Sequence, residues 1–277
     1  MSGRLFIIAT PIGNLGDLTP RAAEALAGAD LVLAEDTRIS IKLLNHLGLK
    51  KKMMSCHDHN EASRLGLIEE LAGQGAQVAL VCDAGTPVVS DPGYRLVERA
   101  VALGMEVVPI PGACALLAAL VASGLPGQRF VFEGFLPDRK GERARRLAEL
   151  RSEPRTMVFY VAPHDLGKVL PAMAEQLGDR QACLARELTK RFEEFIRGSL
   201  LEIAAEVQSR SVLGECVLVV SGAADAAEPV DEAVVTEELR IRLSQGARLK
   251  EAAAEVAMRY GWSKAAVYRL GLSIKES

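Results

Sequence analysis

Three short segments in the first half of the chain combine glycine, proline and small residues in a way typical of ligand sites built from main-chain atoms. They are residues 10–14, 83–93 and 110–115. Glycine lets a ligand approach the main chain closely, and proline fixes the turn. The third segment opens onto a run of small residues predicted to be helical, whose first N–H groups can receive a carboxylate. Each segment alone is better explained as a turn, but three at successive strand ends favour a shared cleft.

Other common sites have no matching pattern. No Gly-x-Gly-x-x-Gly follows the first apolar run and no Gly-Lys-Ser/Thr loop occurs, which disfavours nicotinamide and nucleoside-triphosphate sites. The five cysteines include no Cys-x-x-Cys pair, so we expect neither a disulfide framework nor a thiolate metal site, and a reducing compartment is favoured. His57 and His59 have no third ligand at a suitable spacing, so no metal is expected.

Composition describes a globular chain with an uneven distribution of charge. Its 277 residues are 49% hydrophobic and 25% charged, which predicts two domains with a sizeable core. The net charge of −3 is not typical of a general nucleic-acid binder. From Arg240 onward, however, eight lysines and arginines stand against three glutamates. This tail is the part best suited to meet a polyanion, and a solvated helical face is the alternative.

Apolar periodicity predicts an α/β protein. In residues 1–123, predicted strands at 5–9, 31–34, 53–56, 77–82 and 106–110 alternate with helices, which implies a doubly wound parallel sheet. The segment 124–127 (GLPG) is the predicted boundary. Residues 124–230 form a second α/β domain with a mixed sheet and a hairpin, its strands predicted at 129–134, 156–161, 181–186, 192–197 and 215–221. An acidic linker at 222–232 then leads into a helical module, so that the third unit is 231–277.

The chain contains no predicted membrane span. Prolines and glycines within the uncharged stretch 107–128 leave only 113–122 as an uninterrupted helix, about half of the ~20 residues needed. The apolar run that begins at Leu5 is too short for the core of a signal peptide. We therefore expect a cytoplasmic protein.

Longer motifs carry a resemblance to a known family. The first two segments, with AEDTR (34–38), HDHNE (57–61), GFLP (134–137) and ARELTK (185–190), resemble the ribosomal RNA small subunit methyltransferase I family of the tetrapyrrole-methylase superfamily. The resemblance covers almost the whole chain in order. It implies S-adenosylmethionine bound between two α/β domains in a homodimer. The implied activity is methylation of the ribose 2′-hydroxyl of a cytidine in the decoding region of 16S rRNA, within the small ribosomal subunit.

The same resemblance implies a set of cofactor-binding residues, carried over position by position. Residues 84–87 look like the Gly-Gly-Asp-Pro element of the tetrapyrrole enzymes, with Thr86 in place of the aspartate, so no role of that carboxylate is carried over. The set is Pro11, Ile12, Gly13, Ala84, Gly85, Thr86, Val89, Cys114, Ala115 and Leu188.

Methyl transfer itself needs little covalent help from the protein. A sulfonium is an activated donor, so the enzyme mainly aligns the acceptor, an effect of at best about 7–11 kcal/mol. A ribose hydroxyl is a poor nucleophile, which makes a base or a cation useful. Within the motifs the predicted catalytic residues are Asp36, Arg38, Glu187 and Lys190, with Asp83, Asp91 and Arg186 as further candidates. The alternatives are a helix cap for residues 36–38, a turn for 91–93 and an ordinary surface pair for Glu187 and Lys190.

RNA contacts are predicted in two places. Near the cleft the candidates are Asn14, His57 and Asn60. Residues 249–272 resemble a helix-turn-helix, with Ala257 at the helix crossing and Gly261 at the turn. Its outward candidates are Arg259, Lys264 and Arg269, and the alternative is a three-helix cap on the second domain.

Two other functions stay open from the sequence. One is a small-molecule (tetrapyrrole) methylase, which the basic tail disfavours because a small substrate needs no such surface. The other is a non-catalytic RNA-binding factor in ribosome assembly.

Overall fold

The structure is a computed structural model that describes residues 3–57, 60–210, 212–223, 232–245, 247–260, 262 and 264–276. Within these residues the chain forms two five-stranded sheets, each flanked by helices, and a final group of three helices. This is the α/β architecture that the sequence predicts. No helix in the described ranges has both the length and the apolar character that crossing a bilayer requires.

The first sheet is entirely parallel, in the order β3-β2-β4-β1-β5. Its elements and the helices between them are β1 (Arg4–Ile8), α1 (Pro20–Gly28), β2 (Leu31–Ala34), α2 (Thr37–His46), β3 (Met53–Ser55), α3 (Glu61–Gly73), β4 (Gln77–Val81), α4 (Tyr94–Ala102), β5 (Glu106–Ile110) and α5 (Ala115–Ala122). The predicted parallel sheet is confirmed, with β1 ending one residue earlier than expected.

Helices cover both faces of this sheet. Leu26 of α1 and Leu44 of α2 share one apolar core, whereas Ile68 of α3 and Leu96 of α4 share another on the opposite face. Strands β1 and β4 are neighbours in the sheet. From β1 the chain passes over β4 to form β2, and from β4 it passes over β1 to form β5, so the two connections run in opposite directions across the sheet. Ligands of open α/β sheets bind at such a reversal, beyond the carboxyl ends of the strands. The loops after β1 and β4 are therefore the expected walls of a site.

The second sheet is mixed, in the order β6-β7-β10-β8-β9. Its elements are β6 (Phe130–Phe135), α6 (Lys140–Glu149), β7 (Thr156–Val161), α7 (Leu166–Leu177), β8 (Gln181–Arg186), β9 (Glu194–Ser199), α8 (Leu200–Ser209) and β10 (Cys216–Val220). Strands β6 and β7 pair in parallel and the other pairs are antiparallel, including the predicted hairpin of β8 and β9. β9 begins two residues later than predicted, because residues 187–193 form the hairpin loop.

Helix α5 joins the two sheets. Its buried residues Leu116 and Leu120 belong to an apolar cluster that also contains Val158 of β7, and Val217 and Val219 of β10. The helix consists only of apolar residues, and elements of both domains cover the side that carries Leu116 and Leu120, whereas Leu117 and Val121 are exposed. The helix that packs against the second domain therefore begins directly after the third glycine-rich loop, ahead of the boundary predicted at 124–127.

The three final helices have a core of their own. They are α9 (Glu232–Ser244), α10 (Leu249–Tyr260) and α11 (Lys264–Glu276), and their buried residues include Val235, Leu239 and Val256. Ala257 is buried as expected, whereas the predicted turn residue Gly261 lies outside the described residues. Gly271 of α11 also permits a close crossing, since a Cβ there would overlap the Leu249 side chain.

A buried carboxylate ties α3 to α4. Glu61, the first residue of α3, is 8% exposed and accepts the N–H groups of Gly93 and Arg95 at 3.1 and 2.8 Å. These donors lie at the start of α4, where helical N–H groups lack partners within the helix. Glu61 thus caps the helix that follows the second glycine-rich loop.

Glu61→Ala is expected to lower the free energy of unfolding by about 1–3 kcal/mol, because it leaves buried donors without an acceptor. The measurement is urea denaturation followed by circular dichroism. Glu69→Ala is the matched control on the same helix, since the exposed Glu69–Arg99 pair should contribute at most about 1 kcal/mol. Equal losses in the two variants would contradict the capping role.

Candidate functional site

The three glycine-rich loops meet at the carboxyl ends of the strands. Thr10 and Gly85 exchange main-chain hydrogen bonds of 2.8 and 3.0 Å, which join the loop after β1 to the loop after β4. Thr86 Oγ1 donates to the carbonyl of Ala113 at 3.1 Å, which adds the loop after β5. The convergence expected from the sequence is therefore present.

A cavity of about 410 Å³ opens between these loops and the second domain. From the second domain, Phe135, Tyr160 and residues 214–217 contribute to its wall. Eight of the ten residues predicted to bind the cofactor line it, namely Ile12, Ala84, Gly85, Thr86, Val89, Cys114, Ala115 and Leu188. We call this space the first cavity.

Pro11 and Gly13 face a different space. They line a neighbouring cavity of about 220 Å³, together with Thr10, Asp83 and residues of α2. The loop after β1 thus contributes Ile12 to one cavity and Pro11 and Gly13 to the other. We call this the second cavity. Asp83 lines both spaces.

Strained backbone surrounds the cavities. Among the described residues, four that are not glycine have a positive φ: Val88 (74°), Ser90 (63°), Glu187 (50°) and Thr189 (65°). Such conformations cost about 1–3 kcal/mol each and persist where the surrounding structure imposes them. All four belong to the loop after β4 or to the β8–β9 loop, which are the two loops that face each other across the site.

Asp36 and Arg38 form a local ion pair beside the site. Asp36 caps α2 by accepting the Arg38 N–H at 2.8 Å, and the Arg38 guanidinium binds both of its carboxylate oxygens. The side-chain and main-chain hydrogen bonds from Arg38 lower the pKa of Asp36 to about 2. Neither residue is part of the wall of the two cavities. The helix cap that the sequence left as an alternative is present.

The amide of Asp36 connects this pair to the cavities. It donates to Asp83 Oδ1 at 3.0 Å, and the Asp83 amide in turn lies 3.3 Å from Glu35 Oε2. Burial raises the pKa of Asp83 above its ordinary value. Of the other candidate carboxylates, Asp91 lines the first cavity.

Glu187 and Lys190 form a second ion pair in the β8–β9 loop. Glu187 Oε1 accepts Lys190 Nζ at 3.0 Å and the Glu215 N–H at 3.1 Å, while Lys190 Nζ also reaches Glu215 Oε2 at 3.1 Å. The bond from Lys190 lowers the pKa of Glu187. Burial alone would lower the pKa of Lys190, but its two carboxylate partners outweigh burial and raise it. Of these three, Glu215 contributes to the cavity wall.

Predicted RNA contacts near the cleft are held in local turns. Asn14 accepts the Gly16 N–H at 2.9 Å in a short 3-10 turn. Asn60 Oδ1 accepts the His57 N–H at 2.9 Å, and its Nδ2 lies 3.0 Å from His57 Nε2. His59 lies outside the described residues. The structure gives His57 and Asn60 a common place in the turn between β3 and α3.

Fewer of the C-terminal basic side chains are available for phosphate contacts than their number predicts, because some form ion pairs. Arg259 forms a 3.0 Å ion pair with Glu238, which also binds Arg242. Counting from Arg240 leaves out the acids of α9, which neutralise part of the positive charge. Lys264 and Arg269 are exposed on α11.

Sequence reasoning missed the aromatic part of the site. The Phe135 ring is 5.5 Å from that of Tyr160, and Phe135 is 62% exposed. Burial raises the pKa of Tyr160 to about 12, so its hydroxyl stays protonated. Both residues lie at the carboxyl ends of the parallel strands β6 and β7. That position is a usable signal, since the carboxyl ends of neighbouring parallel strands meet at one edge of a sheet.

The comparisons with known proteins agree with this geometry. Residues 4–204 match the family described as Tetrapyrrole (Corrin/Porphyrin) Methylases. The protein named Ribosomal RNA small subunit methyltransferase I from Pseudomonas aeruginosa is 47% identical over 277 residues, 98% of this chain and 97% of that protein. The protein of the same name from Haemophilus influenzae is 44% identical over 280 residues, 99% of this chain and 98% of that protein.

Solved structures share the fold at lower identity. A uroporphyrin-III-C-methyltransferase from Thermus thermophilus has a TM-score of 0.56 at 20% identity, over 79% of this chain and 94% of its own. Diphthine synthase has a TM-score of 0.63 at 17% identity, over 79% of this chain and 90% of its own. These similarities establish the fold and do not identify the substrate.

The contact between the domains at Gly13 can be tested through stability. A Cβ on Gly13 (φ +152°) would overlap the Lys190 side chain and lie 3.1 Å from Thr189 Oγ1. Gly13→Ala should therefore add an overpacking cost of about 1–3 kcal/mol to the cost of the backbone conformation. Thermal denaturation measures the loss.

Gly48→Ala is the control, because Gly48 also has a positive φ (+67°) but a Cβ there meets nothing within 4 Å. Its cost should be only that of the left-handed backbone, roughly 1–2 kcal/mol. A Gly13→Ala variant no less stable than Gly48→Ala would mean that the two domains do not pack closely at this point.

Proposed function

We propose, from the premise that this chain belongs to the ribosomal RNA small subunit methyltransferase I family of the tetrapyrrole methylases, that it methylates the ribose 2′-hydroxyl of a cytidine in the decoding region of 16S rRNA. The chain is a methyltransferase, and S-adenosylmethionine is its cofactor. The proposal adds the acceptor atom, the nucleotide and the assembled small subunit as the substrate.

The observation that carries the proposal is the first cavity. Main-chain groups of three loops and apolar side chains such as Ile12, Val89 and Leu188 surround it. This lining suits a compact ligand that carries a methyl group on a cationic sulfonium together with a polar amino-acid part, because the polar groups bind main-chain atoms while the methyl group stays in apolar surroundings. Bound there, the cofactor supplies an electrophilic methyl group, and the protein supplies orientation.

We assign residue roles accordingly. The cofactor residues are the eight in the first cavity, with Pro11 and Gly13 supporting the loop from its other side. The ion pairs Asp36–Arg38 and Glu187–Lys190 serve catalysis by fixing residues of the cavity walls. The Asp36 amide holds Asp83, and the Glu187 carboxylate holds the main chain of Glu215. These are positioning roles, because the side chains of both pairs are bound to each other.

An rRNA acceptor is favoured over a tetrapyrrole by similarity. The relatives whose names specify small-subunit rRNA reach 47% identity over nearly the full chain, whereas the solved uroporphyrin-III enzyme is 20% identical over 79% of it. The three-helix module adds a surface that a small substrate does not need.

We also propose a homodimer, from the family resemblance alone, which multi-angle light scattering tests.

Methyl transfer is tested with tritiated S-adenosylmethionine and purified small ribosomal subunits, followed by nuclease mapping of the labelled nucleotide. Label on a cytidine ribose of the decoding region is the expected result, with calorimetric binding of the cofactor as a separate measurement. Cofactor binding without transfer to any rRNA would refute the rRNA assignment. Absence of cofactor binding would favour the non-catalytic assembly factor.

The C-terminal module is expected to contact phosphates through its exposed bases. Lys264→Ala and Arg269→Ala together should weaken binding to small subunits and reduce its salt dependence by up to about one unit of log–log slope per lost contact. Cofactor affinity should stay unchanged, because neither residue lines a cavity. Filter binding over a salt series measures the affinity for small subunits and its salt dependence.

Arg240→Ala is the matched control, since this arginine pairs with Glu237 on its own helix. It should change the salt slope less than the double variant of α11 does. An unchanged slope in the double variant would favour the alternative in which the module only caps the fold.

A further inference from the structure

The two cavities have a common wall formed by one short loop and one carboxylate. Ile12 faces the first cavity, Pro11 and Gly13 face the second, and Asp83 lines both. A transfer between two bound molecules requires adjoining sites with the reacting atoms close together. The second cavity adjoins the first and is therefore a suitable place for an acceptor if the donor occupies the first.

We propose that the second cavity receives the acceptor nucleoside and that Asp83 accepts the proton of its 2′-hydroxyl, an assignment that rests on the proposed function. In the step, the hydroxyl oxygen forms a bond to the methyl carbon and the carbon–sulfur bond breaks. The electron pair of that bond stays on sulfur, which becomes a neutral thioether. The hydroxyl proton passes to the Asp83 carboxylate, so that charge and atoms balance.

The lining of the second cavity fits a nucleotide. Leu15, Ile39 and Leu43 give an apolar surface for a base or sugar face, and the Ser40 hydroxyl belongs to the same wall. Lys42 adds a cation at the cavity, opposite in sign to a nucleotide phosphate. The wall thus offers an apolar surface to the base, a hydroxyl group to the sugar and a cation to the phosphate.

In the described part of the chain Asp83 is held by a hydrogen bond and forms no short ion pair. Its Oδ1 accepts the Asp36 amide at 3.0 Å, which orients the group without protonating it. Asp36 is occupied by Arg38, and Glu187 by Lys190. Burial gives Asp83 a higher pKa than an exposed aspartate, which makes it a better proton acceptor once it is ionised.

Asp83→Asn tests the proton transfer. The amide oxygen can still accept the Asp36 N–H, but the side chain can no longer take up a proton. We expect kcat for methylation of small subunits to fall by about a hundredfold or more, while calorimetric cofactor affinity changes far less and the melting temperature stays close to that of the unchanged protein. Asp83→Glu, which keeps a carboxylate, should recover part of kcat.

Ile39→Trp tests the place of the acceptor. The larger ring should fill the second cavity and raise the KM for small subunits, with little change in cofactor affinity. Ile41→Trp is the matched control on α2, because Ile41 is 36% exposed and lies about 200° around the helix from Ile39, outside both cavity walls. Equal KM values in the two variants would overturn the acceptor assignment.

The outcomes separate the inference from the function on which it rests. If the unchanged chain puts no label on ribose, the proposed function fails first. If it labels ribose and Asp83→Asn keeps its kcat, the proton-acceptor role is wrong while the function stands. A joint loss of kcat, cofactor binding and melting temperature, not recovered in Asp83→Glu, would make Asp83 structural and would also contradict the inference.

Discussion

The main-chain pairing of Thr10 with Gly85 is the interaction on which the site depends. It joins the loops after β1 and β4, at the point where the connections between strands change direction across the sheet. The ends of these two strands therefore form one continuous wall. Both partners use main-chain atoms, which leaves the neighbouring side chains available to line the cavities. Ile12 and Asp83 face the cavities for this reason, since the hydrogen bonds on either side fix the path of the chain.

The second domain completes the site through packing. Helix α5 continues directly from the third loop into the apolar cluster shared by both sheets, so a shift of the domains would displace that loop. Lys190 and Thr189 pack against Gly13 from the opposite side. The shape of the first cavity is thus set by the contact between two domains, and the Glu187–Lys190 ion pair belongs to that contact.

Sequence patterns predicted the fold well because apolar periodicity and turn residues are local properties. The sheet of the first domain, the hairpin of the second and the convergence of three loops all follow from them. The sequence offered a helix cap for residues 36–38 and a surface pair for Glu187 and Lys190, and both local pairs are present. It could not show that the Asp36 amide binds Asp83 or that Glu187 accepts the Glu215 N–H, since these bonds join residues far apart in the chain. Nor could a one-dimensional charge count show that Glu238 neutralises two arginines of the tail.

The left-handed residues in the facing loops have a thermodynamic consequence. The surrounding structure holds Val88, Ser90, Glu187 and Thr189 in these conformations. Their segments have already lost their conformational freedom, so a ligand forfeits little affinity to the ordering of its surroundings. Preorganisation of this kind lets a compact compound bind tightly through few polar contacts.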